Sequence, residues 1–367
     1  MTRERVAVIG GGIFGSTCAL VLRSDCDVTL FERNAEVLLE ASRANQYRHH
    51  MGYHYPRSPE TIREIQAASA DFEAFYGEAI VRDAPSYYCV AKQGSRTSPE
   101  AFLKLCDELG LPYEEKFPPA ELLDRSSVAL CVKTPEAVYN YELLQQMIRQ
   151  RLTANSKIIL KLGYRVVGAA RLPSGEKRLT IVGPDGVREE VFDAVINATY
   201  ANYNQFSQWM RFTPRLLRFD LKELIIVKLP VAQRVAITVM DGPFATLVPI
   251  GGSSLFTLGD VLLAVHDSVV LNGSESSFDE RWKRIRTRWD QMQVRCSQWM
   301  PILRRAAYVE SMFVTLPVDP DSGETDARPT EVTAHGEGCW SILSGKIITA
   351  VSAAKQIRRE MALALQR

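Results

Sequence analysis

The stretch that decides the fold is Arg5-Val6-Ala7-Val8-Ile9-Gly10-Gly11-Gly12-Ile13-Phe14-Gly15. Val6 to Ile9 are uniformly apolar, the pattern of a parallel strand covered on both faces. The glycines that follow fit GxGxxG and open a helix predicted over Phe14–Arg23. Gly10 permits the tight turn, Gly12 lets backbone approach a pyrophosphate, and Gly15 lets helix and strand pack closely. The helix start offers unpaired N–H groups and the positive end of a dipole to phosphates. Asp27–Glu32 reads as the second strand, and its last residue, Glu32, lies about 20 residues beyond Gly10, the spacing at which an acid accepts the ribose hydroxyl protons of a dinucleotide. An ordinary glycine turn has no reason to keep an acid there. Ile13, Phe14 and Arg33 flank the predicted site. The motif by itself leaves FAD and NAD open.

Working outward, Ser58-Pro59-Glu60-Thr61 combines a cap, a proline at the first helical position and an early acid, so a helix follows. Thr97-Ser98-Pro99-Glu100 repeats the device, and Asn140 caps a helix carrying Leu143, Leu144, Met147, Ile148 and Leu152. Strand-like runs follow at 157–162, 178–182 and 191–197, then antiparallel ones at 221–229, 234–239, 245–249 and 255–263. Trp282, Ile285, Trp289, Met292 and Cys296 fall three and four apart, which predicts one amphipathic helix over 278–299. A last helix starts near Gly345. The class is therefore α/β with α+β character: a Rossmann-type nucleotide-binding domain and a second domain of mixed antiparallel β-sheet. The first is expected to be discontinuous, residues 1–80, 140–215 and 300–367, with 81–139 and 216–299 forming the substrate side.

Composition limits the partners. The chain's 367 residues carry 44 Lys plus Arg against 43 Asp plus Glu, so no excess charge draws it to nucleic acid. Arg281, Lys283, Arg284, Arg286 and Arg288 read as one solvated helix face. The seven cysteines form no CxxC pair, and no metal-ligand set is predicted. No apolar run is long enough to span a bilayer, and Val6–Ile9 begins almost at Met1, so neither an integral membrane segment nor a signal peptide is expected and the simplest address is the cytosol.

Four separated segments resemble the D-amino-acid oxidase superfamily of FAD-dependent oxidoreductases. They are the glycine motif with Glu32-Arg33; Ser42 to Tyr55, with His50-Met51-Gly52 like the family's His-x-Gly stretch; Val195-Ile196-Asn197-Ala198-Thr199; and Arg328-Pro329-Thr330 with Gly345-Lys346-Ile347-Ile348-Thr349. Tyr200 stands where that third element usually has glycine. The resemblance implies FAD extended through the first domain, held also by Ser42, Asn45, His49, Ala198, Thr199, Gly345, Lys346 and Ile347, with Val166 or Val167 at the adenine. It implies that the C-terminal helix faces the N1–C2=O edge of the flavin, where its dipole and Lys346 favour the reduced state. Pro249-Ile250-Gly251-Gly252 and then Gly259 look like the family's substrate-domain hairpin.

Such enzymes move a hydride from substrate carbon to flavin N5. An alcohol substrate benefits from a base for its hydroxyl proton, whereas a neutral amine does not need one. Histidine suits that role, with an unperturbed pKa of about 6.5. The chain has five histidines, and His49, His50 and His54 lie within six residues. His266 and His335 fall in segments that the resemblance places near the ring. His50 is the expected base, His54 a second catalytic candidate, and Arg328 a clamp for a carboxylate. Tyr53, Tyr55, Arg57 and His266 are expected on the substrate. The expected reaction takes hydride from a CH–OH group of a small anionic molecule and passes electrons to an acceptor such as oxygen or a quinone. Amine oxidation is the alternative, and a flavin-bound isomerase or structural subunit the third class. Gly259-Asp260 matches a flavin-monooxygenase pair only in part, because 261–265 is expected to continue as strand.

Overall fold

The computed structural model describes residues 3–273, 285–323 and 329–364. The strand Arg5–Ile9, apolar and buried from Val6 onward, lies in the middle of a six-stranded sheet, with Asp27–Glu32 and Ala194–Asn197 as parallel neighbours. Ile158–Leu162 extends the sheet beyond Asp27–Glu32 in parallel, while Cys339–Leu343 and then the antiparallel Glu331–Gly336 close the other side. Helices Ile13–Leu22 and Ala350–Ala364 pack on this sheet and on each other, and Val6, Val8, Leu30, Cys18, Ala354 and Ile357 are buried between them. A three-stranded antiparallel sheet, Arg165–Arg171, Lys177–Gly183 and Gly186–Phe192, covers Ala7, Ile9 and Phe31 on the opposite face through Leu179, Ile181 and Phe192.

The second large sheet runs Val265–Leu271, Leu217–Lys228, Leu255–Asp260, Ala245–Pro249, Ala236–Met240, Ser86–Ala91, Val128–Thr134 and Glu114–Glu115. Its pairings are antiparallel except Ala236–Met240 with Ser86–Ala91, which are parallel. Strands from before and after the Asn140 helix thus share one sheet. A small sheet of Arg48–His49, Ala137–Tyr139 and Ile80–Val81 ties this layer to the nucleotide-binding side.

The capping signals read from sequence act as stated at two positions. Asn140 accepts from Leu143 N at the start of helix Tyr141–Thr153, and Ser98 accepts from Ala101 N at the start of Pro99–Glu108. At helix Pro59–Tyr76, Ser58 Oγ bonds Thr61 Oγ1 instead of a helix N–H. No helix among the described residues is long and apolar enough to cross a membrane.

Four local expectations are corrected. The helix expected over 278–299 is helical among the described residues only at Trp289–Cys296; residues 285–288 are not helical, and Trp282, Arg281, Lys283 and Arg284 lie outside the described residues. Residues 261–264 form a turn rather than more strand, because Asp260 Oδ1 accepts from the N–H groups of Leu262 and Leu263 and folds the chain back. The run 191–197 is two strands, one ending at Phe192 and one starting at Ala194. Ala307–Val318, expected on the nucleotide side, pairs along Leu217–Lys228 in the second sheet.

Candidate active site

A cavity of about 590 Å³ runs from the end of the opening strand to the interface between the two large sheets. One end is lined by Glu32, Arg33, Tyr164, Arg165 and Val166, the middle by Gly10, Gly12, Ile13, Phe14, Ser42, Asn45, Ala198 and Thr199. The other end is lined by Gln46, Arg48, His50, His54, Tyr55, Lys222, Leu224, Phe313 and Thr315, with Gly345, Lys346 and Ile347 below the C-terminal helix.

The glycine turn is set by contacts that tolerate no side chain. Gly10 has φ +102°, and a Cβ there would lie 2.6 Å from Ala198 O. A Cβ on Gly15 would meet Gly10 O at 1.9 Å, so this glycine serves helix–strand packing and does not line the cavity. Gly12, by contrast, faces only Ser42 Oγ, 3.4 Å from its hypothetical Cβ. Ser42 Oγ accepts from Ile13 N at 3.0 Å, which places a hydroxyl against the helix N-terminus. Glu32 is buried, and its two oxygens accept from Gly11 N at 2.6 Å and Asn34 N at 2.8 Å. Burial raises its pKa, while those two N–H groups oppose the rise by favouring the carboxylate. Asn45 is fixed by Tyr139 and Tyr47, which both donate to its Oδ1.

At the far end, Arg48 donates to Tyr88 Oη at 2.9 Å and to Thr238 Oγ1 at 2.5 Å, with Glu136 Oε1 3.4 Å away. His50 Nδ1 is enclosed and has no hydrogen-bond partner among the described residues; Glu136 Oε2 lies 4.0 Å from it. Burial holds the His50 pKa well below the ordinary histidine value, and the positive charges of Lys346 and Arg48 add to the depression. Lys346 Nζ sits 4.4 Å above the Tyr55 ring, whose centroid is 5.9 Å from that of His50.

Residues 5–346 match the family described as FAD dependent oxidoreductase, DAO. The chain belongs to that family. It binds FAD and is an oxidoreductase. A curated relative, the FAD-dependent monooxygenase FPY4 of Fusarium mangiferae, is 29% identical over 258 residues, 70% of this chain and 63% of that protein. The match therefore spans less than two thirds of the relative's length. Among solved structures, glycine oxidase from Geobacillus kaustophilus has a TM-score of 0.74 at 15% identity, covering 99% of this chain and 95% of that one. L-proline dehydrogenase from P. horikoshii has a TM-score of 0.72 at 14% identity, covering 98% and 94%. L-alpha-glycerophosphate oxidase from Mycoplasma pneumoniae, with FAD bound, has 0.72 at 15% identity, covering 100% and 96%. Likeness at such identities speaks for the fold alone.

The DAO-family cofactor fits the residues present. The cavity is long, Gly12 leaves open the backbone approach beside the helix N-terminus, and the only acid at the end of the second strand, Glu32, lines it. Glu32 and Val166 would hold the adenosine end, Gly12, Ile13 and Ser42 the pyrophosphate, and Gly345 to Ile347 the ring. Tyr200, at the position the family gives to glycine, takes φ +53°, so the backbone adopts the left-handed turn despite its side chain.

Several expected site residues are elsewhere. His49 is buried and bonds Glu73 at 2.8 Å, stacked on Phe72, away from the cavity. Tyr53 is buried and donates to Pro112 O at 2.5 Å, because alternation along its loop turns it into the core against Tyr88. Arg57 pairs with Asp241 at 2.6 Å and joins the two layers outside the cavity. His266 bonds Glu223 Oε2 at 2.7 Å on an edge of the second sheet, and His335 stacks on Phe212 at 4.3 Å in a separate cleft. Val167, exposed, points away where Val166 points in. Arg328 lies outside the described residues. Residues the sequence reading did not single out are Arg48, Tyr164, Lys222, Phe313 and Thr315, all on the cavity wall. Arg48 carried a signal, an arginine beside two histidines; the sheet residues carried none.

Proposed function

We propose that the chain oxidises a CH–OH group of a small anionic molecule, with His50 taking the hydroxyl proton. The observation that supports this reading is the state of His50: it lines the cavity, its Nδ1 is enclosed, and its pKa is depressed. A neutral imidazole at pH 7 is a base ready to accept a proton, and Nε2 is the nitrogen left for the cavity. FAD, when bound, supplies the acceptor for the hydride. Tyr55 and the cations Lys346 and Lys222 line the same end and would orient an anion there. His54, in T-shaped contact with Tyr55 at 5.2 Å, shapes that wall as the second catalytic candidate. Electrons would leave to an external acceptor such as oxygen or a quinone.

An anaerobic screen of hydroxy acids, amino acids and sugar-derived alcohols, watching the flavin absorbance, tests the substrate class. Bleaching by hydroxy compounds that is crippled in His50→Asn is the expected result. Bleaching by amino acids alone, indifferent to His50→Asn, would move the reading to amine oxidation. Incorporation of labelled oxygen from O2 into product would move it to the activity named for the fungal relative.

A further inference from the structure

Glu136 is the carboxylate that the fold brings to His50, and nothing in the local sequence of the histidine stretch announces it. The small sheet sets its register: Arg48 pairs with Val138 and His49 with Ala137, so the next step along the ladder places His50 opposite Glu136. Glu136 is buried with 4% exposure. Its Oε1 accepts from Tyr88 Oη at 2.5 Å, and its Oε2 accepts from Met51 N at 2.9 Å, which fixes the backbone immediately after His50. The same Oε2 is 4.0 Å from His50 Nδ1, a buried ring nitrogen with no hydrogen-bond partner among the described residues.

We infer that Glu136 is the positioning residue of His50: it holds the ring with Nδ1 toward the carboxylate and Nε2 toward the cavity, and it stabilises the imidazolium formed when Nε2 takes a proton. This rests on the reading of His50 as base. The charged and titratable groups that bear most strongly on His50 work against that proton. Lys346 comes from the C-terminal segment, and Arg48, His49 and His54 from its own stretch. Glu136 is the opposing charge, and Arg48 and Tyr88 keep it in place. An orienting carboxylate on one ring nitrogen selects the tautomer that leaves the other as acceptor.

The test reads His50 itself and then turnover. In the FAD-loaded protein with labelled histidines, the His50 resonance is assigned by its loss in His50→Asn and titrated in wild type and Glu136→Gln. The expected result is a titration midpoint lower in Glu136→Gln; an unchanged midpoint overturns the proposal. With sn-glycerol 3-phosphate and L-2-hydroxyglutarate as probes, Glu136→Gln is expected to slow flavin reduction tenfold or more, with KM nearly unchanged and the acid limb of the rate moved to lower pH. In a His50→Asn background the same change is expected to have no further effect; an equal loss there would show a structural role only. Glu136→Asp keeps a buried charge for Arg48 and serves where the glutamine variant does not fold. It is expected to lower the midpoint partway, and a wild-type midpoint in it would count against the proposal equally. Full turnover in His50→Asn would instead remove the base reading while leaving the titration result intact.

Discussion

His50 works in a balance of burial and charge. Burial, Lys346 and Arg48 all push its pKa down, so the neutral form persists below the ordinary histidine value of about 6.5. If His50 is the base proposed above, the rate of flavin reduction by substrate is therefore expected to stay level as pH falls through 6.5, a value at which an exposed histidine base would be half lost. Replacing Lys346 with Met removes one of the opposing cations and is expected to move the acid limb upward, as pH profiles of anaerobic flavin reduction would show; a limb that stays put would detach Lys346 from His50. Tyr200 presents a different residue-scale balance. Its φ of +53° costs a side-chain-bearing residue about 1 kcal/mol, while glycine would recover that and give back a similar amount through the unfolded chain. The β-branched Tyr200→Val, worse in this conformation, is accordingly expected to lower the thermal midpoint measurably more than Tyr200→Gly.

At the scale of elements, the turn between Ala245–Pro249 and Leu255–Asp260 rests on the start of helix Tyr141–Thr153. A Cβ on Gly251 would lie 2.6 Å from Tyr139 O and 2.7 Å from Asn140 N, both backbone atoms that cannot step aside. Tyr139 also donates to Asn45, and Tyr139 and Asn45 thereby link this hairpin to the cavity wall. Gly251→Ala is expected to destabilise by about 2 kcal/mol as an overpacking substitution and to weaken FAD binding, measured by melting and by flavin retained on gel filtration. Asn140→Ala, which removes the cap to Leu143 N and the side-chain contact with Gly252 but keeps the Tyr139–Asn45 link, is expected to cost about 1 kcal/mol and leave flavin retention unchanged. Equal flavin loss in both variants would show that the hairpin contact has no special hold on the site.

For the whole molecule, two buried histidines, together with the half-buried His335, contribute to the acid response. His49 and His50 both have depressed pKa values, burial being the first cause in each. Above the ordinary histidine value neither state is protonated and their contribution is fully present. As pH falls below about 6.5 the unfolded chain takes up protons that the buried rings refuse, and stability drops. The melting temperature is expected to fall between pH 7.5 and pH 5.5, and to fall less steeply in His50→Asn; an identical slope would mean that other groups dominate. The ends of the chain and its middle cooperate in one site. The opening strand, the Ala194–Asn197 strand and the Cys339–Leu343 strand stand side by side, yet 184 or more residues lie between the first and the others.

The nucleotide half of the site was legible in the linear sequence because its chemistry is local. Gly10 to Gly15 and Glu32 belong to one strand–turn–helix–strand unit, and backbone geometry permits few residues at each place. Ser42, Ala198 and the Gly345–Ile347 segment became legible through resemblance. The substrate half was not, because strand periodicity states which residues share a face but not what that face meets. His49 and His50 are adjacent and chemically identical, and only the sheet pairing turns one to Glu73 and the other to the cavity. Glu136 stands 86 positions from His50 and lies beside it through register alone. Local steric rules wrote the dinucleotide turn into the sequence; which charges face His50 was decided by long-range strand pairing, whose energy no short window contains.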